Sequence, residues 1–112
     1  MKKAAFFLAT LMLALPLSAA AEVWKSVVVV DRMCSAKAKA APDEHTTKCA
    51  LACAKSGFGI LTADGHFLML DETGNQKAVA ALKSTKKTDH LRATVTGERD
   101  GDTIKVQSFD LQ

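Results

Sequence analysis

The sequence predicts a mainly β domain with two helices, and three observations carry that prediction. Val23-Trp24-Lys25-Ser26-Val27-Val28-Val29-Val30 is dense in β-branched residues and reads as a first strand. Asp-Gly pairs stand between short apolar or alternating runs at Asp64-Gly65 and Asp100-Gly101, where hairpin turns are expected. Helical signals are confined to a segment at about 43–56 and another at about 76–85.

What precedes the first strand reads as an export signal. Lys2 and Lys3 form a positive start, and Ala4 to Leu15 is apolar except for Thr10. Pro16 ends the run, and Ser18-Ala19-Ala20-Ala21 supplies the small residues a signal peptidase reads. Cleavage is expected after Ala21, giving a periplasmic protein with no membrane attachment. The run is short of the ~20 residues of a spanning helix, and no cysteine stands at the cut to take a lipid. Removing 21 of 112 residues leaves 91, enough for a single domain over residues 22–112. Fifteen Lys and Arg become 13 against 12 Asp and Glu, so the mature chain is nearly neutral. Nucleic-acid binding, which rests on clustered cations, is therefore not expected.

Taken in order, the first strand ends near Asp31 to Cys34. Residues 35–42 form a connector that Pro42 closes. Asp43 or Thr46 caps the Cys-bearing helix, and Gly57 stands where a helix end favours a left-handed residue. Phe58 to Thr62 and Phe67 to Leu70 are strands around a type I′ turn at Asp64-Gly65. Asn75 caps the second helix, with Ala78, Val79 and Leu82 on its apolar face. Leu91 to Thr96 and Ile104 to Phe109 alternate as a final hairpin about Asp100-Gly101. With the Cys-bearing helix set aside as an insertion, the order is three strands, a helix and two strands. That is the order of an OB-fold, a five-stranded barrel. A small α+β antiparallel sheet is the alternative.

Chemistry concentrates at Cys34, His45, Cys49 and Cys53, four ligand-type residues in 20 positions. His45, Cys49 and Cys53 follow one another at intervals of four, which places them on one stripe of a helix. Three readings compete. Export favours a disulfide from Cys34 to Cys49 or Cys53, because small oxidised domains are commonly stapled. Cys49 with Cys53 fits poorly, since neighbours on one helical face hold their Cβ atoms ~5–6 Å apart. The second reading is a metal site of Cys34, Cys49 and either His45 or Cys53. Zinc accepts this donor set, and thiolates with Met33 would also suit copper(I). All four residues close on one ion only if His45 lies outside the helix, because eight helical residues span ~12 Å. A redox role is the weakest reading, the spacing being Cys-x3-Cys. His66 and His90 are expected to be solvated.

No catalytic constellation is recognised, and an enzyme is not supported. The chain lacks a phosphate loop, a His-Glu-x-x-His helix, a nucleophile elbow and an EF-hand loop. With four aromatic residues after cleavage (Trp24, Phe58, Phe67, Phe109), no stacking platform is expected. The first function expected is a non-enzymatic accessory module for a partner protein or small ligand, acting as a monomer. The alternative is a zinc- or copper-binding protein.

The pattern resembles a group of small exported bacterial proteins. It runs from Trp24 and Val27 to Val30 through Asp31 and Cys34 to His45-Thr46-Thr47-Lys48-Cys49-Ala50-Leu51-Ala52-Cys53. It closes on Thr96-Gly97 and Gly101-Asp102-Thr103-Ile104-Lys105-Val106. The resemblance implies an OB-like barrel and no particular activity. Ser26 stands where that pattern implies Gly.

Overall fold

In the computed structural model, which describes residues 21–112, the chain forms a closed five-stranded barrel. The export signal expected over residues 1–21 lies outside the described residues but for Ala21. Strand β1 spans Glu22–Asp31, β2 Phe58–Leu61, β3 Phe67–Leu70, β4 Arg92–Asp100 and β5 Thr103–Leu111. The strands close in the order β1-β2-β3-β5-β4, and β4 returns to β1. All pairings are antiparallel except β3 with β5, where Met69 and Leu70 run parallel to Thr103 and Ile104. The mixed barrel is consistent with the expected OB-like order and excludes the flat antiparallel sheet.

The valine run is buried on both faces. Val29 joins Phe58, Ile60, Leu68, Val95 and Ile104 in the main core, while Val30 packs on the other side with Ala38 and Leu61. Ala38 belongs to α1, Ser35–Ala40, which converts the expected connector into a short helix covering the outer face. Helix α2, Thr47–Ala52, adds Ala50 to the main core, and α3, Glu72–Ser84, adds Ala78 and Leu82. Burial of this kind contributes roughly 1.5–3 kcal/mol for each large apolar side chain.

Several local expectations are corrected. Asp71, not Asn75, caps α3: its Oδ1 accepts from Gly74 N at 2.9 Å. Asn75 lies inside the helix, and its Oδ1 accepts from Phe58 N at 2.7 Å, tying α3 to the start of β2. Asp64-Gly65 does not form the expected type I′ turn, because only Gly65 of the two has positive φ. Gly101 and Asp102 make a two-residue loop with positive φ at its first position, the pattern of type II′. Around Gly65 the loop is longer, with Thr62 N donating to His66 O at 2.9 Å.

Ser26 is explained by its backbone. The register of β1 against β4 shifts between Trp24 and Val27, and Ser26 bends through that bulge at φ 52°. A left-handed conformation costs an L-residue roughly 1–2 kcal/mol, whereas glycine adopts it freely. Ser26→Gly is therefore expected to stabilise the barrel by about 0.5–1 kcal/mol in urea denaturation. The exposed bond from Ser26 Oγ to Gln112 Oε1 offsets only a little of this gain. A destabilised variant would show that the bulge does not strain Ser26.

Candidate metal centre

The site is built where β1 runs out. Asp31 pairs with Phe58 across the ladder and is fully buried, and Arg32 N donates to Gly57 O at 2.9 Å. The chain then turns through a 3-10 helix, Arg32–Cys34, which Asp31 caps: Oδ2 accepts from Cys34 N at 3.0 Å. One carboxylate oxygen is thus fixed by the backbone. The other, Oδ1, lies 3.0 Å from His45 Nε2. That approach lacks hydrogen-bond alignment, so both atoms are buried without a hydrogen-bond partner. Such a pair is costly to retain unless charge or a ligand compensates it.

His45 precedes α2. Thr46 takes the cap position, its Oγ1 accepting from Cys49 N at 3.1 Å, so the helix begins only at Thr47. Thr47 fixes the helix start against the chain before β4, through N to Thr88 O at 2.9 Å and Oγ1 to Lys87 O at 2.7 Å. The helix is short, and Cys53 is its C-cap residue. The expected continuous stripe is therefore broken: His45 lies before the helix, Cys49 within it and Cys53 at its end. This meets the condition under which His45 can approach the cysteines.

Cys53, not Cys49, comes together with Cys34. The ligand atoms of Asp31, Cys34 and Cys53 all lie within 4.8 Å of one another. All three cysteines are free thiols, so neither expected bridge is formed. Cys34 and Cys53 are partly buried, and Cys49 is exposed. Cys49 instead lines an open groove of about 470 Å3 with Cys34, His45, Ala38, Ala41, Lys37 and Glu44 among its walls. Burial pushes the Cys34 thiol above its ordinary pKa, helped by the charge and hydrogen bond of Asp31 and then by Cys53 and Cys49. A protonated Cys34 is a poor nucleophile, which weakens the redox-catalyst reading.

Asp31 does not belong to the ligand set that the Cys and His spacing predicts. The available signal was its place three residues before Cys34, which makes it both the cap of the next turn and a neighbour of the thiol. Met33 is 74% exposed and outside the cluster. His66 and His90 are exposed, as expected, beside Asp64 at 3.4 Å and Asp89 at 2.8 Å. Comparison with protein-family models, with curated proteins and with solved structures gives no match to this chain.

Proposed function

We propose that this chain is an exported metal-binding module that holds one zinc ion between Asp31, Cys34 and Cys53. The observation that carries the reading is the convergence of one buried carboxylate and two thiols within 4.8 Å. The edges of a tetrahedral zinc site with bonds of ~2.0–2.3 Å are about 3.3–3.8 Å, so side-chain adjustment of an ångström or so suffices. Zinc would supply the positive charge that Asp31 lacks. His45, 3.0 Å from Asp31 Oδ1, would orient the carboxylate, as partners behind metal ligands commonly do. Three protein ligands would leave a fourth position for water or a substrate, and one of them, Cys34, also lines the groove with His45 and Cys49. A carboxylate in the donor set favours zinc over copper(I), which prefers thiolate and thioether sulfur.

Zinc titration of the reduced chain, read by native mass and a competing chromophoric chelator, tests this. One ion per chain is expected. Cys34→Ser and Cys53→Ser should each weaken affinity by more than about 100-fold, and His45→Ala by about 10–100-fold. Cys49→Ser should stay within about threefold of the parent, an order-of-magnitude bound for a residue outside the ligand set. Affinity should rise with pH because zinc displaces thiol protons, and the raised Cys34 thiol extends that rise past the ordinary thiol range. Equal losses at Cys49 and Cys53 would reject this ligand set.

The same two sulfurs support a second reading, an accessory module stapled by a Cys34–Cys53 disulfide for a partner protein or small ligand. It differs in its response: reductant, not chelator, would loosen the fold, and the isolated protein would take no zinc.

A further inference from the structure

We infer that thiol oxidation controls occupancy of this site: a Cys34–Cys53 disulfide and the bound ion exclude one another. The inference rests on the zinc reading and adds its regulation. Two of the three proposed ligands are themselves a dithiol, with sulfurs no more than 4.8 Å apart. Neither cysteine sits inside a regular helix. Cys34 (φ −100°, ψ 7°) joins the 3-10 turn to α1, and Cys53 (φ −104°, ψ 20°) ends α2, where a second 3-10 turn, Ala54–Ser56, begins. Such junctions adjust more readily than a helix interior, where each residue is held by the repeating backbone bonds. The third thiol, Cys49, is exposed on α2 and outside the close cluster, so it stays unpaired when the other two join.

The chemistry balances as thiol–disulfide exchange with a small-molecule or protein disulfide as oxidant. The thiolates of Cys34 and Cys53 form one S–S bond, and the S–S bond of the oxidant breaks. Two electrons pass to the oxidant's sulfurs, which leave as two thiols after taking two protons from solvent. A zinc ion would be left with Asp31 alone of its three ligands and would be released. Sulfur lone pairs consumed in the new bond are no longer anionic donors, so the two states cannot coexist.

The test uses zinc-loaded, reduced Cys49→Ser protein, which removes disulfide scrambling, with the parent chain in parallel. Glutathione disulfide is the oxidant, and native mass, alkylation and peptide mapping are the readouts. The expected result is a bridge joining Cys34 to Cys53, formed together with loss of the ion and reversed by reductant. Zinc affinity of the oxidised form should be more than about 100-fold weaker. A Cys34–Cys53 bridge with zinc still bound would overturn the inference, as would a parent chain that pairs Cys49 instead. Zinc-loaded protein that keeps its ion and its two thiols at an excess of oxidant that readily bridges the metal-free chain would overturn control of occupancy by oxidation. Failure of the zinc reading itself appears earlier, as reduced protein that takes up no ion before oxidant is added.

Discussion

Asp31→Ala is expected to lower the stability of the metal-free, reduced protein by up to about 2 kcal/mol, the cost of the lost cap at Cys34 N, since Oδ1 and His45 Nε2 make no hydrogen bond that could be lost. The side chain is fully buried and joins two otherwise separate pieces of chain. Its Oδ2 closes the turn at Cys34 N, and its Oδ1 faces His45 Nε2 across 3.0 Å. Alanine removes the acceptor at the turn and leaves His45, 8% exposed, with no anion beside it. Asp31→Asn retains an acceptor for Cys34 N, so its cost should be smaller, about 1 kcal/mol. Both variants should lose zinc affinity, because neither alanine nor the asparagine amide supplies a negative ligand. Urea denaturation with chelator and reductant present separates these effects from metal binding. Equal stability of the alanine variant and the parent would show that the carboxylate does not hold the turn.

The second large effect is expected far from the site, at Gly97. This residue lies in β4 opposite Glu22 of β1, at the position where the register against β5 shifts. A Cβ added there would overlap the Lys105 carbonyl oxygen and lie 2.9 Å from Ile104 Cγ2. The nearer atom is backbone of a paired strand, so relief requires the β4–β5 ladder itself to move. Gly97→Ala should therefore cost about 3 kcal/mol, at the upper end of overpacking effects. Urea denaturation followed by far-ultraviolet dichroism checks this. A cost below about 1 kcal/mol would mean that the ladder opens locally without strain.

These two positions also mark how far the sequence could be read. Strands rich in β-branched or alternating residues were legible because their period is local: Val23 to Val30, Phe67 to Leu70 and the final hairpin all appear where expected. Caps were less legible. Asp71 and Asn75 are both good cap residues, and the choice was decided by Phe58 N, a partner 17 positions away that holds Asn75 inside the helix. The turn type expected at Asp64-Gly65 failed for a similar reason: Asp-Gly signals a turn, while loop length and strand twist decide which one forms.

At the site, the residue types were legible and the geometry was not. Spacing alone made His45, Cys49 and Cys53 equivalent members of one stripe. Thr46 broke that equivalence by starting the helix after His45, and the short α2 put Cys53 at its end. Asp31 offered only a strand-ending carboxylate, a residue that ordinarily marks a solvated turn. Its burial arises because α1 and the loop carrying His45 fold back over the end of β1, which no local pattern announces.

The backbone bond from Arg32 N to Gly57 O, 2.9 Å long, has a consequence in polymer terms. It pins both ends of the segment carrying every proposed ligand but Asp31, which sits at its root beside Phe58. Bringing the ends of a flexible loop together costs roughly (3/2)RT ln n in chain entropy, and here the β1–β2 ladder has already imposed that constraint. An ion or a disulfide between Cys34 and Cys53 thus acts on a chain whose large-scale closure is settled. It needs to order only the interior of the loop, so either cross-link can be made or broken while the barrel stays shut.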